Sequence, residues 1–169
     1  ENRVQVVYQN CDSRFFTPVS DEEKQSVQFR YKLPALFILN VSSFYPRKNQ
    51  ATLIKAFAAI SNKTDHWLVL IGGNESERYK CERLVEQLQL TKRVLFLSNV
   101  PATDLPVIYK MASLFVYPSL FEGFGIPIVE AMACAVPVLC SDIPCFQEVG
   151  EKEVNYFNPN DSFALAELM

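Results

Sequence analysis

The sequence predicts an α/β protein: a doubly wound parallel sheet with helices on both faces. Two observations carry that prediction. Short β-rich runs alternate with segments of helical period along nearly the whole chain, the pattern of parallel strands joined by crossover helices. The 169 residues contain no repeat, low-complexity tract or linker, so they read as one domain long enough to bury a sizeable core.

The elements follow in order. Val4–Tyr8 reads as a first strand, and Ser20-x-x-Glu23 as a capping box opening a helix towards Tyr31. Leu36–Val41 is a strand. Gln50–Ser61 carries Leu53, Ile54, Phe57 and Ile60 at helical spacing, a buried stripe. The strands Trp67–Ile71, Val94–Leu97 and Leu114–Tyr117 alternate with helices at Ser76–Gln89 and Asp104–Met111. Pro127–Ala135 is a helix, Val136–Cys140 a strand, Cys145–Val149 a short helix and Val154–Phe157 the last strand, before a helix begun near Asp161. Ligands of such sheets bind beyond the C-terminal strand ends, which directs attention to loops 42–49, 72–75, 98–103 and 118–126.

Composition excludes several classes. A net charge of −3 gives no electrostatic case for nucleic acid or anionic lipid. No run approaches the roughly 20 apolar residues of a membrane helix, and no signal-peptide pattern is present. The five cysteines (Cys11, Cys81, Cys134, Cys140, Cys145) form an odd set without a C-x-x-C pair, which argues against zinc and against a disulfide framework. They read as reduced, packed thiols of a cytosolic protein. His66, the sole histidine, stands at the edge of an apolar strand and reads as packing. The first residue is not Met and the last falls inside a predicted helix, so a longer chain is expected.

The most informative stretch is Glu122-Gly-Phe-Gly-Ile-Pro-Ile-Val-Glu130. Pro118-Ser119 break the preceding strand, and Pro127 suits a first helical turn. The amides of Gly123, Phe124, Gly125 and Ile126 then gather at a helix N-terminus, where partial positive charge favours a phosphate. Glu122 and Glu130 border the same region. In loop 42–49, Arg47 and Lys48 stand near a helix start and would be poor neighbours for its positive end without an anion between them. Gly72-Gly73 permits a close backbone approach, but no G-x-G-x-x-G fingerprint occurs, which argues against a dehydrogenase.

These residues resemble glycosyltransferase family 4, the retaining GT-B enzymes known as glycosyl transferases group 1. The resemblance runs through Ile38–Asn49, Thr52–Phe57, Val69–Gly73, Arg93–Pro101 and Leu105–Asn158. Its most specific element is the pair of glutamates separated by seven residues in an EGFG context. The resemblance implies a Rossmann-like domain, the C-terminal half of a GT-B fold, with residues 1–169 binding the donor and an N-terminal acceptor domain lying outside this chain. It implies transfer of a hexose from a nucleoside-diphosphate sugar to an acceptor hydroxyl, in cell-surface polysaccharide or glycolipid synthesis. Glu122 and Lys48 would be the catalytic groups. Arg47, Lys48, Val100, Gly123, Phe124, Gly125, Ile126 and Glu130 would bind the donor, Glu130 through the ribose hydroxyls and Val100 beside the nucleobase.

No metal or other cofactor is implied, and no Asp-x-Asp motif is present. The partners implied are the nucleotide-sugar and a saccharide or lipid-linked acceptor, in the cytoplasm or at the cytoplasmic face of the membrane. Nucleic acid is not among them. The chain alone would be inactive in transfer. One position departs from the family: Ser43 stands where an Arg, separated from Lys48 by four intervening residues, holds the diphosphate, and Arg47 is the candidate to supply that charge. Another GT-B-type enzyme (an epimerase or phosphorylase) and a non-catalytic nucleotide-sugar-binding domain are the alternatives.

Overall fold

The computed structural model of the chain describes residues 5–169, apart from the side chains of Glu75 and Ser76. Its strands are β1 (Phe37–Val41), β2 (Trp67–Ile71), β3 (Val94–Leu97), β4 (Leu114–Tyr117), β5 (Val138–Ser141) and β6 (Asn155–Phe157). Its α-helices are α1 (Asp21–Tyr31), α2 (Gln50–Ile60), α3 (Glu75–Gln87), α4 (Leu105–Met111), α5 (Ile126–Ala133), α6 (Pro144–Gly150) and α7 (Ser162–Leu168). Two 3-10 turns, Ser13–Phe15 and Pro46–Lys48, were not legible as helical periods.

All strand pairs are parallel, in the order β3-β2-β1-β4-β5-β6. Alternate residues feed two cores. Phe37, Leu39, Val69, Ile71, Phe115, Tyr117 and Cys140 pack with residues of α1, α4, α5 and α6. Ile38, Leu68, Leu70, Val116 and Leu139 pack with residues of α2, α3 and α7. Burying each such side chain stabilises by about 1.5–3 kcal/mol before entropy is counted, so a sheet covered on both faces becomes the only sensible home for these runs. The expected doubly wound, Rossmann-like parallel sheet is therefore what forms.

One expected strand does not form. Val4 lies outside the described residues, and 5–8 are irregular, with Val6 and Val7 71% and 82% exposed. Among the described residues, none of the six strands pairs with 5–8. Tyr8 instead donates to Glu148 of α6 at 2.6 Å, and Cys11 contacts the Val129 carbonyl of α5 at 4.0 Å.

Capping explains several boundaries. The Ser20 hydroxyl accepts from the Glu23 amide at 3.2 Å while the Glu23 carboxylate accepts from the Ser20 amide at 2.8 Å, so the capping box read from sequence starts α1. Its far end is tied down by Asp104, which accepts from Arg30 at 2.6 Å and Tyr31 at 2.5 Å and so joins α1 to α4. At three helix ends a residue other than glycine takes the left-handed conformation. Lys32, Gln89 and Ala135 take left-handed φ values of 51°, 58° and 56°. Beyond each, an amide reaches back five residues, as Val136 does to the Ala131 carbonyl at 3.0 Å. The expected α3 and α5 ran on to Gln89 and Ala135 because neither stop carries the usual glycine. Val136 is spent on this cap, which moves the start of β5 to Val138.

Gly72 sits where backbone meets backbone: a Cβ there would lie 2.0 Å from the Ser42 carbonyl oxygen, whereas at Gly73 it would meet nothing within 4 Å. Gly72→Ala is therefore expected to lower stability by at least about 2 kcal/mol in urea unfolding, with Gly73→Ala near neutral. Equal midpoints for the two variants would refute that crowding. Ala135→Gly, relieving a left-handed residue, is expected to raise stability by up to about 1 kcal/mol; an unchanged thermal midpoint would count against it.

Candidate functional site

The strand order reverses between β1 and β4, and at that point the helices leave opposite faces and open a crevice at the strand ends. The loop after β1 forms one wall and the loop after β4 the other. A cavity of about 630 Å³ lies between them, closed at one side by Gly72, Gly73, Asn99 and Val100 from the loops after β2 and β3.

A buried polar network fixes the first wall. Asn40, fully buried in β1, donates to the Val116 carbonyl at 2.8 Å and accepts from the Ser42 hydroxyl at 3.0 Å. Gln50 at the start of α2 donates to the Ser42 hydroxyl at 2.8 Å and to the Ser43 carbonyl at 3.1 Å. Asn49 then crosses to the second wall, donating to the Pro118 carbonyl at 3.1 Å. The Leu120 amide returns the connection to the Arg47 carbonyl at 2.8 Å.

Glu122 is the centre of the joined walls. Its Oε1 accepts from Lys48 Nζ, from the Ser119 hydroxyl at 2.9 Å and from the Tyr117 hydroxyl at 3.2 Å, and its Oε2 accepts from Arg47 Nη1 at 2.8 Å. The Glu122 and Lys48 side chains are only 9% and 11% exposed. Burial opposes ionisation of Glu122, but hydrogen bonds from Lys48, Ser119 and Arg47 and the Lys48 charge outweigh it and hold the carboxyl below its ordinary range. Lys48 also donates to the Tyr117 hydroxyl at 2.8 Å and lies 5.2 Å from that ring's centroid.

Glu130, on the first turns of α5, faces the same cavity in a different setting. One oxygen accepts from the Tyr109 hydroxyl at 2.8 Å. Burial pushes this carboxyl up, with the Tyr109 bond opposing. The turn into α5 depends on Gly125, whose φ of 111° is left-handed and whose missing Cβ would lie 2.8 Å from Phe146. No acceptor among the described residues engages the amides of Gly123, Phe124, Gly125 or Ile126.

Of the residues singled out from sequence, Arg47, Lys48, Val100, Glu122, Phe124, Gly125, Ile126 and Glu130 line one cavity. Gly123 does not. It sits on the exposed side of its turn, where an added Cβ would meet nothing within 4 Å. Ser43, the departure, lines the cavity, with Arg47 across from it on Glu122. Sequence reasoning missed the two tyrosines that hold the carboxylates. Their signal was faint: Tyr117 ends a strand just before the loop, and Tyr109 sits among the apolar residues of α4. Cys81, Cys134 and Cys140 are buried, all five cysteines are free, and His66 pairs with Thr64 away from the cavity. Among the described residues no group of His, Cys, Asp and Glu is placed to hold a metal, and no helix is long and apolar enough to cross a membrane.

Sheet order and cavity together define a Rossmann-like α/β domain with its site at the switch point. The chain belongs to the family described as Glycosyl transferases group 1, whose model matches residues 21–169. It is 34% identical over 152 residues to the O-antigen chain mannosyltransferase RfbU of Salmonella typhimurium, covering 90% of this chain and 42% of that protein. A solved structure of Anabaena Alr3699/HepE in complex with UDP and glucose superposes with a TM-score of 0.84 at 25% identity, over 97% of this chain and 46% of that one. The C-terminal domain of a glycosyl transferase group 1 family protein (LpcC) from Francisella tularensis matches in fold, with a TM-score of 0.76 at 24% identity, covering 94% of this chain and 85% of that one. The chain thus spans less than half the length of RfbU.

The Glu122 setting predicts a pH response. A carboxyl held below its ordinary value of 4.5 contributes stability above that pH, and the contribution is lost as pH falls through its folded value. Glu122→Gln should be less stable than wild type near pH 7, yet lose stability less steeply between about pH 6 and about pH 3 in urea titrations. Parallel curves for the two proteins would contradict the linkage.

Proposed function

We propose that this chain is the donor-binding, C-terminal half of a retaining family 4 glycosyltransferase, moving a hexose from a nucleoside-diphosphate sugar to a saccharide or lipid-linked acceptor. The observation that carries the reading is one cavity walled by Arg47, Lys48, Glu122, Glu130 and unengaged amides at the N-terminus of α5. The named relatives support it: a mannosyltransferase of O-antigen, and a structure holding UDP and glucose. Mannose is accordingly the first sugar to test, and cell-surface polysaccharide synthesis at the cytoplasmic face of the membrane the setting to expect.

The groups divide the work by chemistry. Lys48 has three N–H donors, of which Glu122 and Tyr117 use two; the third is free for a phosphate oxygen. Among the described residues the Arg47 guanidinium makes both of its hydrogen bonds from Nη1, so its remaining N–H groups can fork onto the same diphosphate in place of the arginine that Ser43 replaces. Free amides at residues 124–126 add partial positive charge. As the glycosidic bond breaks, negative charge grows on the leaving phosphate, and these pre-oriented donors stabilise it without a metal or cofactor. Glu130 accepts from the ribose hydroxyls. Among the described residues Glu122 Oε2 accepts from Arg47 alone and keeps room to accept from a sugar hydroxyl. The leaving phosphate takes the acceptor's proton on the same face, giving retention.

The test is calorimetry with GDP-, UDP- and dTDP-sugars, followed by radiolabelled sugar transfer, on the full-length protein. Glu130→Gln is expected to weaken binding of the bare nucleoside diphosphate about tenfold, the loss of one charge-assisted bond. Glu122→Gln should cost more in transfer than in nucleotide affinity. Failure of all three nucleotides to bind, or equal affinity losses in both variants, would overturn these roles.

A further inference from the structure

Each carboxylate of the cavity is held by a phenol from the same aromatic column. The rings of Phe15, Tyr109, Phe115, Tyr117 and Phe146 follow one another at centroid distances of 5.5, 5.3, 5.8 and 5.4 Å. Tyr117 serves Glu122, which has three other donors. Tyr109 serves Glu130, which has no other donor among the described residues. The Tyr109 ring is completely buried, and its hydroxyl has Glu130 Oε2 as its one hydrogen-bond partner among the described residues.

We propose that Tyr109 is a positioning residue: it occupies Oε2 of Glu130, fixes the rotation of that carboxylate and leaves Oε1 as the acceptor turned to a ligand hydroxyl. This rests on the reading of the cavity as a nucleoside-diphosphate site. A half-buried carboxylate with no cation beside it needs a donor to stay oriented and ionised, and α4 supplies one in a rotamer locked by Phe15 and Phe115. The titratable groups around Glu130 are Tyr109 from α4, Cys134 from the end of α5 and Cys11 from the N-terminal segment, with Lys110 engaging Cys134 rather than Glu130. Burial already raises the Glu130 carboxyl and the Tyr109 bond is what opposes that rise. Without the hydroxyl, protonation would begin at a higher pH and ligand acceptance would fail from that pH downwards.

The experiment compares wild type, Tyr109→Phe and Glu130→Gln in the full-length protein. The nucleoside diphosphate that binds wild type is titrated between about pH 8 and about pH 5, and the Glu130 side-chain carboxyl is followed by carbon-13 NMR without ligand. Tyr109→Phe keeps the ring, so the core stays filled. The expected result is a loss of about threefold to tenfold in affinity near pH 7 that widens towards pH 5, with a raised Glu130 titration midpoint. Glu130→Gln should be weak and flat across the same range. A variant that is merely less stable, with wild-type affinity, pH profile and Glu130 midpoint, would overturn the positioning role while leaving the nucleotide site standing. Absence of nucleotide binding in wild type would overturn the site itself, and this role with it.

Discussion

A lysine ammonium that is almost buried at the switch point is the constraint around which this domain is arranged. Isolated, such a charge would cost several kcal/mol of lost hydration. Glu122 offsets it, and that requires the loop after β4 to fold back against the loop after β1. The fold-back in turn brings Asn49 onto the Pro118 carbonyl and the Leu120 amide onto the Arg47 carbonyl. Four donors on one carboxylate leave little freedom in either loop. The cavity walls are consequently held by contacts within the chain itself.

The sheet beneath provides the rigidity on which that arrangement depends. Asn40 is a polar residue at a core position of β1, and its amide is satisfied by the neighbouring strand while its oxygen takes the Ser42 hydroxyl. A buried amide with unmet partners would destabilise the strand, so the network selects one conformation of the wall above it. Gly72 lets the loop after β2 come close to that wall, where the Gly73 carbonyl accepts from the Phe44 amide at 2.9 Å. The geometry of the rim thus depends on interactions one layer down, in side chains such as Asn40 and Gln50 that do not line the cavity.

Much of this was legible in the order of residues, for physical reasons that also mark its limits. Runs such as Trp67–Ile71 are apolar on both faces and have no stable home except a covered parallel strand. The EGFG loop was readable because glycine at 125 answers a backbone demand. Where the chain meets a similar demand without glycine, as at Gln89 and Ala135, the boundary was misplaced by a residue or two. The run Val4–Tyr8 misled because alternation only predicts a strand if an edge is available to pair with. Tyr109 and Tyr117 were invisible for a different reason: their rings look like ordinary core, and only the folded geometry shows that the hydroxyls end on carboxylates.

The two glutamates illustrate what the fold adds to a motif. In sequence they are equivalent acids separated by a short loop and a turn of helix. In the structure one is surrounded by cations and hydroxyls and is drawn below its ordinary range, while the other has a single phenol and is pushed above it. An acid crowded by positive charge stays ionised and rigid and is suited to holding a charged cluster together. An acid in a drier pocket, with one oxygen unclaimed, is suited to accepting from neutral hydroxyls. Environments that separate two like groups in this way divide labour between them. Here the difference between them follows from the neighbouring elements: the loop after β1 brings Arg47 and Lys48 to Glu122, whereas α4 brings Tyr109 to Glu130.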